Sequence, residues 1–193
     1  MMEFFEAVKN RRSIRALEDE AVVPDEEVVE IVKSALNHTP TAFNGQETRV
    51  AILFGKHHKQ LWDDAEKIAR DKNPVDFERT QQRIQGFRNG HGTVLFFQDR
   101  EVIEGLQNKM PHLRDALEAW AHQNQGMLQY VIWTGLEEVG YAASLQHIDI
   151  DIRPEWNIPE NWKIIAQMPF GKQAQPAIEK EIIPVEKKLV VLK

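Results

Sequence analysis

The sequence predicts one domain of mixed helix and strand, α/β or α+β, on three observations. Stretches with apolar residues three and four apart alternate with short apolar runs closed by glycine or a turn. No linker, internal repeat or low-complexity segment divides residues 1–193. A chain of that length buries roughly 70% of the surface its unfolded form exposes, which supports a full core without staples.

Residues 3–10 read as a short amphipathic helix with Phe4, Phe5 and Val8 on one side. Residues 26–37 repeat the pattern through Val28, Val29, Ile31, Val32, Ala35 and Leu36, started by Pro24, Asp25 and the acidic residues that suit a positive helix N-terminus. "RVAILFG" (49–55) is a buried strand closed by glycine, and "GTVLFFQD" (92–99) reads the same way. Between them, 56–88 is polar and charged, with Leu61, Ala65, Ile68 and Ala69 in helical register.

The longest periodic stretch is 113–139, where Leu113, Leu117, Trp120, Met127, Leu128, Val131 and Leu136 recur at helical spacings. It predicts the central buried helix. A glycine stop at 140 precedes "GYAASLQH", and "WKIIAQMPFG" (162–171) is a strand ended by Pro169 and Gly171. The segment from Lys172 has no helical stripe, but its final "KLVVLK" has the composition of a docked strand rather than of a disordered tail.

Composition narrows the chemistry. The absence of cysteine excludes disulfides, thiolate metal sites, cysteine nucleophiles and iron–sulfur clusters. No signal-peptide pattern and no run of about 18 apolar residues is present, so the expectation is a cytoplasmic protein that neither enters a membrane nor is secreted by that route. A net charge of −6 argues against nucleic acid as a partner. No metal site is expected: HExxH is absent, and "KHHK" (56–59) reads as a solvated pair beside lysines. Nor is there a G-x-S-x-G, P-loop or G-x-G-x-x-G pattern, so an anion would have to be held by side chains.

Two segments could do so. "KNRRSIRAL" (9–17) gathers Lys9, Arg11, Arg12 and Arg15 around Ser13, and guanidinium forks match phosphate oxygens. By itself the cluster fits a solvated basic turn, a kinase acceptor or a small-anion site. "TPTAFNGQETRV" (39–50) brings Thr39, Thr41, Asn44 and Gln46 around a proline and an Asn-Gly turn, groups suited to the edge of a neutral heteroaromatic ring. By itself it is a polar loop.

In this order and spacing, "RRSIR" (11–15) and "PTAFNGQ" (40–46) resemble the nitroreductase family of flavin mononucleotide (FMN) enzymes. "GTVLFF", "GMLQYVIWTGLEEVGYAASLQH", "WNIPENWKIIAQMPFGK" and "EKEIIPVEKKL" are similar to its fatty acid repression mutant-like subgroup, and the likeness covers essentially the whole chain. The resemblance implies an α+β fold, a central mostly antiparallel sheet flanked by helices, in an intertwined homodimer with two flavins at the interface and a tail that crosses onto the partner's sheet.

The resemblance also implies roles. Arg11, Arg12, Ser13 and Arg15 would hold the flavin phosphate and ribityl chain, with Asn44 and Gln46 near the ring and ribityl. Pro40 and Thr41 would reach the flavin of the other subunit. Leu145, Gln146 and His147 stand where backbone N–H groups face the ring. Lys180 fits the first of two basic positions before the tail, and Ile182 stands at the second, a shortfall Arg15 would make up.

The implied activity is an NADH- or NADPH-dependent reductase of nitroaromatics or quinones, working by ping-pong, with no protein acid, base or nucleophile because the flavin carries the chemistry. Trp120, His122 and Asn124 are pocket candidates, Trp120 fitting core packing equally well. A flavin-binding regulatory or stress-response protein with incidental reductase activity stays open beside it.

Overall fold

The structure, a computed structural model, describes residues 3–72, 75 and 77–193. Positions 73, 74 and 76 of the expected helical stretch lie outside the described residues. The architecture is a sheet between two helical layers, and it follows from one strand that faces both ways.

That strand is β3 (Gly92–Asp99), buried at every position. Successive side chains point to opposite faces. Val94 and Phe96 enter a core with Val28, Val32 and Ala35 of α2 (Asp25–His38) and with Leu128, Ile132 and Leu136 of α6 (Arg114–Glu138). Leu95 and Phe97 enter a second core with Leu61, Trp62 and Ala65 of α3 (Gly55–Lys72) and with Ile84 and Phe87 of α4 (Phe77–Arg88). Each of the valine, leucine, isoleucine and phenylalanine side chains among them, fully buried, contributes roughly 1.5–3 kcal/mol.

β3 pairs antiparallel on one side with β2 (Thr48–Phe54), in register from Thr48 opposite Gln98 to Phe54 opposite Gly92. On the other it pairs antiparallel with β5 (Trp162–Gln173), the register slipping between Phe96 and Phe97. β1 (Leu17–Glu18) and β4 (Ala142–Ala143) are two-residue strands that also pair with β5. The order is β1-β5-β3-β2, which leaves β2 at the outer end. All named pairs are antiparallel, as the α+β expectation requires.

Several boundaries differ from expectation. β5 does not stop at Pro169 and Gly171 but runs to Gln173. Pro169 lies opposite Thr93 and its carbonyl still accepts from the Ser144 N–H at 3.3 Å. Gly171 is a close-approach position: a Cβ there would stand 2.7 Å from the Glu18 carbonyl oxygen and 3.0 Å from the His91 nitrogen. The sequence signal for a stop is a packing requirement. β2 ends one residue early, and Gly55, at φ 52°, opens α3 without a linker. A further helix, α5 (Arg100–Lys109), follows β3 directly, started by Asp99, whose carboxylate accepts from the N–H groups of Glu101 and Val102.

Two other expectations need correction. The "KHHK" pair is not solvated: His58 shares the inner face of α3 with Leu61, Trp62 and Ala65 and is fully buried. α6 is buried on one side only, and Met127, Tyr130 and Val131 are exposed on the other. Phe4 and Phe5 of α1 (Phe4–Asn10) and Leu36 of α2 add further exposed apolar groups. The expected terminal strand is absent: the tail touches the chain near residues 174–178, but among the described residues, 174–193 form no strand, and Val190 and Leu192 are 83% and 90% exposed.

Candidate functional site

α1 ends where the Arg11 N–H donates to the Ala7 carbonyl at 2.9 Å, and the chain then runs extended beside β4. The Ile14 N–H donates to the Ala143 carbonyl at 3.0 Å, and Ser13 forms a parallel bridge with Ala143. Ile14 and Leu17 are buried, which turns Ser13 and Arg15 outward.

The basic residues take different partners. The Arg11 guanidinium sits over the Trp133 ring, and its Nε is enclosed without a hydrogen-bond partner among the described residues. The Arg12 guanidinium donates to the carbonyl of Ile178 in the tail. Ser13 and Arg15 line a small cavity of about 140 Å³ with residues 175–178 of that tail. Lys180 is exposed two positions further on.

Arg15 also faces a larger cleft of about 590 Å³, walled by Ala16, Gln175 and, from α4, Arg79, Gln82, Arg83 and Gly86. Its size is that of a small-molecule site. Three guanidinium groups converge on it, and no carboxylate is among its lining residues. Gly86 makes the approach feasible, because a Cβ there would lie 2.6 Å from the Arg15 carbonyl oxygen. This donor set fits a phosphorylated aromatic cofactor: cations for a dianion, amides for ribityl hydroxyls, and room for a ring.

The stretch after β4 borders the same region. The Gln146 N–H is committed to the Gln167 carbonyl at 2.7 Å, and so does not face a ring as expected. Its side chain instead donates to Ser144 Oγ at 2.9 Å and accepts from the Arg83 guanidinium at 3.4 Å. Leu145 is half-buried against the α2 and α6 core, and His147 is exposed.

The amide-rich loop builds a second cleft of about 440 Å³, lined by Pro40, Thr41, Ala42 and Phe43 and, from α6, Trp120, Gln123, Asn124 and Met127. Phe43, Asn44 and Gln46 have positive φ of 55°, 53° and 53°. Holding non-glycine residues there costs on the order of 1–3 kcal/mol each, so the surroundings must over-determine the loop. They do: Thr41 Oγ1 accepts the Gln46 N–H at 2.9 Å, and Arg49 donates to the Gln46 carbonyl at 2.6 Å. Asn44 and Gln46 are exposed. His122 is exposed and lies 3.9 Å from Glu118, away from this lining.

The two clefts share no lining residue. Within one chain, Arg15 and the Pro40–Thr41 pair therefore line separate clefts. Arg79, Gln82 and Arg83 escape the sequence reading; their signal is a spacing of three and four that puts them on one face of α4. Among the described residues, no group of three or more His, Asp or Glu side chains is arranged to hold a metal ion, and no helix is long and apolar enough to cross a membrane.

Comparisons with known proteins cover almost the whole chain. The model described as the Nitroreductase family matches residues 8–172. The nitroreductase FRM2 of Saccharomyces cerevisiae is 32% identical over 186 residues, 93% of each chain. Nitroreductase CinD of Lactococcus lactis, solved in complex with chloramphenicol, is 35% identical and superposes with a TM-score of 0.88 over 99% of this chain and 100% of that one; it has also been solved with nicotinic acid and with 4-nitrophenol. A structure from Exiguobacterium sibiricum in complex with FMN shares the fold at 16% identity, with a TM-score of 0.73 over 100% of this chain and 98% of that one.

Proposed function

The chain belongs to the nitroreductase family, in its fatty acid repression mutant-like subgroup, and on that premise we propose that it is an FMN-dependent oxidoreductase of the cytoplasm, one domain over residues 1–193, that oxidises NADH or NADPH and reduces nitroaromatics or quinones by ping-pong. The observation that carries the reading is the 590 Å³ cleft with three guanidinium groups and no carboxylate. The redox chemistry, hydride acceptance from a nicotinamide and delivery of the electrons to the second substrate, is supplied by FMN when bound.

The chain's own residues bind and orient. Arg15, Arg79 and Arg83 provide charge-assisted donors, each contributing roughly 1.5–3 kcal/mol to an anion held in the cleft. Ser13 and Arg12 border the same region, and Arg12 ties down the tail segment that walls it. Arg11, Leu145, Gln146, His147 and Lys180 complete the cofactor set, Gln146 acting through its contact with Arg83 rather than its backbone N–H.

The separate clefts support a homodimer, in which Pro40, Thr41, Asn44 and Gln46 of one subunit border the flavin held by the arginines of the other. The exposed apolar faces of α1, α2 and α6 cover one another, and the tail crosses to the partner's sheet. One open face then receives reductant and acceptor in turn. CinD's complexes with chloramphenicol and 4-nitrophenol, both nitroaromatic, and with nicotinic acid, which has the ring of nicotinamide, favour that assignment.

The test is direct. Purified protein should be yellow, and with NADH or NADPH it should reduce a nitroaromatic far faster than free FMN does. Arg11→Ala with Arg15→Ala should weaken FMN binding by several kcal/mol with the fold intact, at roughly 1.5–3 kcal/mol per lost charge-assisted contact. Tight FMN with negligible turnover would favour the regulatory reading, and failure to bind FMN would refute both.

A further inference from the structure

Beside the second cleft lies a carboxyl group that the proposed activity does not use. Glu47 is 2% exposed. Its Oε1 accepts from Asn124 Nδ2 at 2.7 Å, while Oε2 is enclosed without a hydrogen-bond partner among the described residues. The surrounding side chains, Ala42, Ile103, Leu106, Leu117 and Ala121, are apolar. A carboxyl group so placed is costly to bury, and one amide donor offsets only part of that cost.

What the contact connects is informative. Glu47 closes the loop in which Phe43, Asn44 and Gln46 have positive φ, and its own carbonyl accepts the Asp99 N–H at 2.8 Å, fixing that end to β3. Asn124 stands one helical turn beyond Trp120 on α6, and both line the cleft. Across the same cleft the Phe43 ring is 58% exposed, its centroid 6.0 Å from that of Trp120 and tilted by 54°. The Glu47–Asn124 bond thus joins the element that carries Phe43 to the element that carries Trp120.

We propose that Glu47 is a positioning residue which, through Asn124, sets the spacing of Phe43 and Trp120 and so makes the cleft a slot selective for flat aromatic acceptors. The proposal rests on the reading of this cleft as bordering the flavin of the other subunit. Phe43, strained and largely exposed, has no buried anchor of its own; the buried tether four residues later supplies it. Small acceptors that need no stacking are indifferent to the slot.

The experiment uses the FMN-loaded protein and two acceptors, 4-nitrophenol and ferricyanide, together with 4-nitrophenol binding to the oxidised protein followed by tryptophan quenching. In Glu47→Ala, both the KM and the Kd for 4-nitrophenol should rise about tenfold, while FMN content and ferricyanide turnover stay within about twofold of the parent. Glu47→Gln, which keeps an acceptor for Asn124, should restore the parent values. If Glu47→Ala does not fold, Glu47→Asp, which draws the carboxylate back from Asn124 by one methylene without leaving the buried site empty, should show the same split. Unchanged 4-nitrophenol constants, or a parallel fall in both acceptors and FMN content, would overturn the proposal. A parent protein that binds no FMN, or turns over neither acceptor, would instead overturn the functional reading beneath it.

Discussion

The Arg11 guanidinium carbon lies 4.4 Å from the centroid of the Trp133 ring and 5.9 Å from that of Tyr130. The first arginine after α1 is thus held over two rings of α6. Burial pushes the Glu137 carboxyl above its ordinary value, and the Arg11 charge pulls the other way. Arg11→Ala should cost about 1 kcal/mol of stability, and Arg11→Lys nearly as much, because lysine keeps the charge but not the planar guanidinium. Urea midpoints of the FMN-free protein check this; a Lys variant equal to the parent would show that charge alone matters.

Arg79→Ala and Arg83→Ala should each raise the Kd for FMN by about 10- to 100-fold, the value of a charge-assisted contact. Arg70→Ala, on α3 and paired with Glu66, serves as a control and should leave it unchanged. Quenching of flavin fluorescence on titration of the apoprotein measures all three.

Gly86→Ala tests whether the contact between α4 and the segment at Arg15 shapes the cleft. The added methyl meets the Arg15 carbonyl oxygen at 2.6 Å and must move backbone rather than a flexible side chain. A stability loss of about 1–3 kcal/mol is expected from such overpacking, with weaker FMN binding alongside. Parent-like melting and FMN affinity would mean that the two segments separate freely.

His58 makes acid stability measurable. Burial lowers its pKa to about 4 against the Arg88 carbonyl contact, which raises it. Its ring lies 2.8 Å from Thr93 Oγ1 and 3.1 Å from the Arg88 carbonyl oxygen. Because the unfolded histidine, at pKa about 6.5, binds the proton more readily than the folded one, this contribution is complete above pH 6.5 and lost as pH falls toward 4. Its size is on the order of 3 kcal/mol. Across that window His58→Gln should be less stable at neutral pH but should lose stability less steeply than the parent, as read by urea midpoints against pH.

In the proposed dimer, deletion of residues 182–193 should shift the protein toward monomer in sedimentation velocity, since Ile182, Ile183, Val190 and Leu192 are exposed within the chain and would be covered by the partner. An unchanged sedimentation coefficient, allowing for the lost mass, would place the dimer contact wholly on the helices.

The elements that were legible in the sequence are those whose burial is local in pattern. β3 reads as a strand because its first six residues are apolar or small and both faces are covered. α5 escapes because its apolar positions are few, and its clearest signal is a single capping aspartate, Asp99. Gly171 and Pro169 look like punctuation, yet the glycine answers crowding from Glu18 and His91, which only the folded sheet brings near. The site divides the same way. "RRSIR" is contiguous and visible, whereas Arg79 and Arg83 join it only when α4 packs on the segment at Arg15. Glu47 resembles any charged loop residue until Asn124 arrives from α6.

The sheet stops at β2, whose outer side pairs with no strand among the described residues, while residues 188–193, "KLVVLK", have strand composition and form no strand within the chain. If the tail crosses to a partner's sheet as proposed, every copy carries both halves of a strand-addition reaction. Two copies that trade tails about a twofold axis consume all four halves and stop at two. A trade that does not close leaves one half free at each end and recruits copies without limit, so the path of the tail, more than its hydrophobicity, separates a finite assembly from a fibre.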